Sequence, residues 1–429
     1  MRVGENFCPG IVHAVPAKDG MLIRIRVPGG LIEARQLSAV ADLSANFGDG
    51  QVEITSRANL QLRAIQERSL PEIVEGLASV RLLPSRQHDR VRNISTSPLA
   101  GLEPEEFVDT RSLVQELDQR LIQDDVFVEL HPKFSFGIYG SGRLFSHEQD
   151  DLSLYAIPGA GLHGETRFQL MIGGTDTRHA VSSGDAVDCL LKAARLCILL
   201  ARRNGLPPRG KKLIAVSAVM ESLLAGLSDY VAPSVYSGTR NVMTLPPIGV
   251  HLSAQASKRN IVPLIPLGRL SSKQAHRLAD ATVECEGDLR LAPWRGVVIG
   301  TVATGQVAHV AAQLDSVGLY LDGRTGFQGI AACAGNTGCD ASLADVRSDA
   351  AMLAQRLAGR IDVPGWTVNL SGCEKQCAMR HGAVAELVAT SCGYVLRMHG
   401  QAAQERLSTE AALNLVHGAH LRFAAEGCR

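Results

Sequence analysis

Four of the ten cysteines in this 429-residue chain fall into two close pairs. Cys333 and Cys339 form a C-x5-C pair in the glycine-rich stretch Ala332-Cys333-Ala334-Gly335-Asn336-Thr337-Gly338-Cys339. Cys373 and Cys377 form a C-x3-C pair that follows a strand-like run, Trp366 to Leu370, and Ser371-Gly372. Structural zinc favours C-x2-C pairs. Iron–sulfur clusters need four thiolates and accept wider spacings. The pattern predicts one iron–sulfur cluster on Cys333, Cys339, Cys373 and Cys377. Glycines beside the ligands let backbone amides approach the sulfurs, which tunes reduction potential. Cys8, Cys189, Cys197, Cys285, Cys392 and Cys428 show no such pattern and read as small hydrophobes.

The elements that must hold these loops occur twice. Leu22 to Val27 reads as a strand leading into Pro28-Gly29-Gly30, and a helix pattern covers Ala34 to Phe47. Strands at Val52 to Thr55 and Leu60 to Ile65 and a helix over 70–79 follow. Ile261 to Ile265, Pro266-Leu267-Gly268, a helix over Ser272 to Ala281, strands at Leu289 to Leu291 and Val297 to Ile299, and a segment ending near Ala308 to Leu314 repeat that order. This is the order of a split βαβ, ferredoxin-like unit. Each unit precedes a longer α/β segment. Aligned by spacing, Cys333 falls on Val91, Cys339 on Ser97, Cys373 on His131 and Cys377 on Ser135. In that alignment Val126 to Leu130 is the strand matching Trp366 to Leu370. Leu343, Val346, Ala350, Leu353 and Leu357 mark a helical stripe, opened by Ser342 with Asp345. A long helix from Ala186 to Ala201 closes the first half, and Asn204 to Lys212 links the halves.

The fold class expected is α+β, with two ferredoxin-like units and two longer α/β units in a duplicated, pseudo-twofold arrangement. The expected divisions are 1–80, 81–210, 235–315 and 320–429.

Lys plus Arg equals Asp plus Glu, at 43 each, and no basic run stands out. No nucleic-acid partner is expected, so an anionic ligand must be gripped by a local cationic cluster. The start MRVGENFCPG lacks the apolar core of a signal peptide, and apolar runs are too short to span a bilayer. A cytoplasmic protein without a membrane partner is expected, with thiols reduced.

With its cysteine motif and duplicated halves, the chain resembles the nitrite and sulfite reductase superfamily. Those enzymes hold a 4Fe–4S cluster on C-x5-C and C-x3-C pairs against a sirohaem, and Cys377 matches the ligand that bridges the two. Thr55-Ser56-Arg57-Ala58-Asn59-Leu60-Gln61-Leu62, Arg92-Asn93 and Pro132-Lys133-Phe134 resemble the family's tetrapyrrole-pocket motifs. One departure stands out. Reductases of the family end the third motif K-F-K, whereas this chain reads Lys133-Phe134-Ser135. Loss of the second lysine removes positive charge and a proton donor from the site of a small oxyanion.

Cys8-Pro9-Gly10-Ile11, Pro28 to Leu31, Thr55 to Arg63, Pro266 to Leu270 and Pro293-Trp294-Arg295-Gly296 resemble the branch of the superfamily that serves aerobic cobalamin biosynthesis. That resemblance implies a monooxygenase that hydroxylates precorrin-3A at C20 and closes a lactone from the ring A acetate. Dioxygen supplies the oxygen, and NADH supplies electrons through a separate reductase. A reduced tetrapyrrole polycarboxylate would then be the substrate, bound by Arg57, Asn59, Gln61, Arg92, Lys133 and Arg295; arginine forks match carboxylates. The branch is expected to use a mononuclear non-haem iron as well, bound by His and carboxylate. His13, His88 with Asp89, His131, and His147 with Glu148 are its open candidates.

Two other readings are retained. One is a sirohaem-dependent sulfite or nitrite reductase. The other is a non-catalytic iron–sulfur electron-transfer protein. A nucleotide loop at Gly300-x4-Gly305 lacks the lysine of a P-loop and the spacing of a Rossmann turn.

Overall fold

A computed structural model describes residues 8–141, 143–144, 148–159, 165–236, 241–242, 248–359, 363, 365–379 and 382–427. The first ferredoxin-like sheet runs Val15–Ala17, Gly20–Ile25, Leu60–Ile65, Gln51–Ile54, all antiparallel, and then takes Arg269–Ser271 from the second unit as its fifth strand. The second sheet runs Gly249–Leu252, Lys258–Val262, Gly296–Ala303, Asp288–Ala292. Its return gesture is a single bridge, Leu31 to Arg290. Each half thus lends the residue after its Pro-x-Gly turn to the other's sheet, Leu31 in one direction and Arg269 in the other.

Helices cover one face of each sheet. In Ala34–Phe47 the residues Leu37, Val40, Ala41 and Ser44 make a buried stripe, and Glu33 with Gln36 caps its start. Ser272–Glu284 begins with a Ser271–Gln274 capping box and packs against the first helix, Ser272 Oγ donating to the Ala41 carbonyl at 3.0 Å. Ile23, Leu37, Leu60 and Ile73 share one apolar core with Leu278, Leu289, Ile299 and Val310, so neither unit buries its apolar face alone.

The two α/β units repeat each other strand for strand. In the first, Ile94–Ser95, Phe136–Tyr139 and Leu152–Ile157 are parallel, then Arg167–Ile172 and Thr175–Ser182 turn antiparallel. In the second, Ile330–Ala332, Val368–Ser371 and Ala385–Thr390 are parallel, then Gly393–Met398 and Gln404–Leu407 are antiparallel. Arg111–Leu121 and Val346–Leu357 are the matching crossover helices, and Ala186–Asn204 and Thr409–Gly427 the matching closing helices. Gly205, at φ 62°, supplies the left-handed residue that ends Ala186–Asn204.

Four sequence expectations change. Val126 to Leu130 is not a strand. Asp124 caps Val126 N–H and starts a short 3-10 helix, Asp125–Glu129, and Phe136–Tyr139 takes the strand position. The stripe helix begins at Val346 under Asp345, which accepts from Ser348 N–H; Ser342 does not open it, and Leu343 is exposed. The spacing-based alignment of the cysteines also fails. Ile94 pairs with Phe136 as Ile330 pairs with Val368, which sets Ser97 opposite Cys333 and Ser141 opposite Cys373. The first α/β sheet also gains Val231–Pro233 as an edge strand, so it runs past the expected link at 204–212.

Candidate active site

The cysteine loops leave the carboxyl ends of two adjacent parallel strands, Ile330–Ala332 and Val368–Ser371. Pairing of Ala332 with Leu370 brings Cys333 beside Gly372, whose N–H donates to Cys333 Sγ at 3.3 Å. Leu343 N–H donates to the Gly372 carbonyl at 2.8 Å, and Ser342 N–H to the Cys339 carbonyl at 3.0 Å, so the two loops are tied together. A Cβ on Gly372 would fall 1.7 Å from Ser342 Oγ; only glycine lets the loops approach this closely. Cys333, Cys339 and Cys373 are half-buried and Cys377 is exposed, all as free thiols.

This donor set suits a 4Fe–4S cluster: four soft thiols, two tied loops and an amide already aimed at one sulfur. Bound there, the cluster would pass electrons singly. A mononuclear iron fares differently. Among the described residues no three His, Cys, Asp or Glu side chains converge where one ion could sit. His13 pairs with Asp89, His88 with Ser85 and the Asp124 carbonyl, and His131 accepts from Lys133 N–H. His147 lies outside the described residues. No site for that iron is assigned among the described residues.

Of the remaining cysteines, Cys8, Cys189, Cys197 and Cys285 are buried. Burial pushes the Cys189 thiol up to about 12 and raises Cys197 and Cys285 as well, which keeps them unreactive. Cys392 is exposed, and Cys428 lies outside the described residues.

The first sheet presents its polar face to the cysteine loops. Strand alternation puts Ile23, Ile25, Val52, Ile54, Leu60, Leu62 and Leu270 under the helices. It leaves Arg24, Gln61, Glu53 and Arg269 in one cross-strand row on the other side. Arg24 donates to Gln61 Oε1 at 3.1 Å, Gln61 to Glu53 Oε2 at 2.8 Å, and Arg269 Nε lies 3.2 Å from Glu53 Oε1. Arg63, two residues beyond Gln61, forks onto Asp19 at 2.9 and 3.0 Å and also donates to the Gly338 carbonyl inside the C-x5-C loop. Arg347, from the crossover helix of the cysteine unit, completes the contact at Glu53. The second sheet lacks such a row. There Val298 pairs with Arg290 as Gln61 pairs with Glu53, and Leu99 and Leu102 seal Val262 and Val298 from above.

The six anticipated binding residues occupy separate places. Gln61 belongs to the polar row. Asn59 is buried and accepts from Val27 N–H at 2.8 Å, which fixes the chain entering Pro28-Gly29-Gly30. Arg295, held at φ 64°, donates to the Cys377 and Ala378 carbonyls at 3.3 and 2.9 Å, so it braces the fourth cysteine. Its counterpart in the first half is Ala58, at φ 52° and with the same turn bond. Arg57 lines a narrow cleft together with Ser95, Ser97, Tyr139, Glu148 and Tyr155. It donates to Glu148 at 2.9 Å and Asp150 at 3.4 Å. Arg92 forks onto Asp118, both bonds 2.7 Å, beside a different cleft that Arg26, Arg81, Arg111 and Arg290 also line. Lys133 is exposed on a turn.

Sequence reasoning missed Arg24, Arg63, Arg269 and Arg347. The signal was present for two strands: Ile23-Arg24-Ile25-Arg26 and Gln61-Leu62-Arg63 alternate polar and apolar residues, which marks a sheet with one polar face.

Comparison with known proteins agrees with this architecture. The family model described as nitrite/sulfite reductase ferredoxin-like half domain matches residues 13–80 and 254–317. That described as nitrite and sulphite reductase 4Fe-4S domain matches 87–193, the copy without the paired cysteines. A precorrin-3B synthase of Sinorhizobium sp is 28% identical over 411 residues, covering 94% of this chain and 84% of that protein. A ferredoxin–nitrite reductase of Synechococcus elongatus is 26% identical over 379 residues, covering 83% and 73%. The solved structure of the Mycobacterium tuberculosis NirA protein superposes with a TM-score of 0.77 at 21% identity, covering 94% and 81%. With both ferredoxin-like halves and the first α/β unit matched, this chain belongs to the nitrite and sulfite reductase superfamily of oxidoreductases.

Proposed function

We propose that the chain is a precorrin-3B synthase, a dioxygen-dependent monooxygenase that hydroxylates precorrin-3A at C20 with lactone formation from the ring A acetate. Cys333, Cys339, Cys373 and Cys377 would hold a 4Fe–4S cluster, which would supply single electrons drawn from NADH through a separate reductase. The substrate carboxylates bind the arginine-bearing face of the first sheet and Arg57.

The observation that carries the choice is Ser135. It stands where the family's reductases carry their second lysine, and it is fully buried, its N–H given to Asp151 at 3.0 Å. A buried hydroxyl there offers no ammonium to hold nitrite or sulfite. The arginines favour a larger anion. Arg24, Arg63, Arg269 and Arg347 lie between the sheet and the cysteine unit, where guanidinium forks suit several carboxylates at once. The 28% identical precorrin-3B synthase, covering 94% of this chain, supports the same reading.

The test is aerobic incubation of the purified protein with precorrin-3A, NADH and a reductase under labelled dioxygen, followed by mass spectrometry. A product carrying one labelled oxygen atom is expected. Sirohaem absorption bands together with nitrite or sulfite reduction would replace this reading with the reductase one. Failure to bind any tetrapyrrole would favour an electron-transfer protein.

A further inference from the structure

The cleft holding Arg57 lies at the carboxyl ends of Ile94–Ser95 and Phe136–Tyr139, where the duplicated half carries its cysteine loops. At its back sits Asp150, its side chain only 2% exposed. Tyr139 Oη donates to Asp150 Oδ2 at 2.8 Å, and Arg57 reaches Oδ1 at 3.4 Å. Tyr139 stacks on Tyr155 with ring centroids 4.7 Å apart and planes 19° apart, and both rings line the cleft. Gly137 permits this arrangement, because a Cβ there would fall 2.4 Å from Asp150 Oδ2.

Among the described residues, the charges facing Asp150 are few. Arg57 is shared with Glu148 at the mouth. Asp151 lies next in sequence and points away, paired with Arg209 at 2.9 Å. Arg143 on the cleft wall is engaged by Glu105 and Glu103. Burial pushes the Asp150 carboxyl up to about 6, against the pull of Arg57, Tyr139 and Ser135 and with Asp151 adding repulsion. A carboxyl group in that range can give and regain a proton near neutral pH.

Resting on the monooxygenase reading, insertion of one oxygen atom from dioxygen into a C–H bond takes up two electrons, supplied from NADH, and two protons, and the second oxygen atom leaves as water. A proton source at the reacting oxygen is therefore required. We propose that Tyr139, backed by Asp150, is that source: the Tyr139 hydroxyl gives its proton to the reacting oxygen and takes the Asp150 proton in the same event. Solvent in the cleft mouth returns the proton to the pair. Tyr139 faces the cleft and is the donor. Asp150 acts through it as a positioning and reloading group.

The test uses the cluster-loaded protein with Tyr139→Phe and Asp150→Asn, following product formation and NADH consumption across pH. In the wild type kcat falls on the alkaline side as Asp150 loses its proton. Asp150→Asn abolishes that limb and lowers kcat by about 100-fold or more, with KM little changed. Tyr139→Phe, which keeps the ring stack, lowers kcat similarly and oxidises NADH without matching product. Infrared difference spectra of the resting protein supply a readout independent of turnover. A protonated-carboxyl band titrating near pH 6 is expected in the wild type and absent from Asp150→Asn. Full kcat and coupling in Tyr139→Phe, or no such band in the wild type, would overturn the proposal. A wild-type protein that shows the band but never oxygenates precorrin-3A would overturn the proposed function instead.

Discussion

Arg347 of the cysteine unit meets Glu53 of the first sheet at 2.5 Å. Glu53 is buried, and burial alone would raise its pKa. Arg347, Arg63 and Arg269 outweigh that and hold it below the usual carboxylate range. One ionised acid therefore sits among arginines at the join between the sheet and the cluster loops. It keeps the arginine row neutral enough to pack while no ligand is present.

Replacing Glu53 by Gln should free that charge for a ligand. We expect Glu53→Gln to bind uroporphyrin, a stable polycarboxylate tetrapyrrole, about tenfold more tightly at low salt, with the gain shrinking as salt rises. Fluorescence titration at two ionic strengths measures both. The substitution also alters acid stability. A depressed pKa stabilises the fold above the unfolded value of 4.5 and loses that contribution as pH falls below it, so wild type should lose stability more steeply in acid than Glu53→Gln.

Iron content distinguishes the paired cysteines from the rest. Cys339→Ser and Cys373→Ser should each lose most of the bound iron and sulfide and the broad visible shoulder of the cluster. Cys285→Ser, in the shared core of the ferredoxin-like units, should keep both. Metal analysis of anaerobically purified protein reads the difference.

Gly372→Ala tests the tie between the cysteine loops. Its new Cβ would meet Ser342 Oγ at 1.7 Å and Ser342 Cβ at 2.6 Å. The loops must part, and cluster occupancy should fall several-fold. Removing the obstacle with Ser342→Gly in the same chain should restore occupancy. If the double variant stays empty, the steric account is wrong.

Asp150 predicts a stability profile of opposite sign to that of Glu53. Its raised pKa means that the folded state holds the proton more tightly than the unfolded state. Its contribution is full below the unfolded value of 3.8 and is lost as pH rises through about 6. That loss is about 3 kcal/mol. Asp150→Asn should flatten the fall in urea midpoint between pH 4 and pH 7, roughly the window set by those two values.

Much of the architecture was legible in the chain itself. Periodicity located Ala34–Phe47, Leu60–Ile65 and Leu70–Ser79 closely, because each has a clean apolar period and a turn or cap at its ends. Val126 to Leu130 misled because a short run of β-branched and aromatic residues also suits a 3-10 turn when Asp124 caps it. The cysteine alignment misled because equal spacing counts residues through loops of unequal length, whereas strand register compares positions in space.

The four cysteines stood out as a candidate cluster site from type and spacing alone, because ligand chemistry is local. The duplication was readable for the same reason: each βαβ unit follows its own apolar pattern. What lay around the cysteines was decided only by the tertiary structure. Arg57, Arg92 and Arg295 looked like one grip on a single ligand, yet they enter two clefts and a cysteine loop. Arg24, Arg63, Arg269 and Arg347, scattered over more than 320 positions, converge beside the cysteines. The reason is physical. A side chain's partner is fixed by which sheet face it occupies and by which half of the duplicated chain is folded against that face.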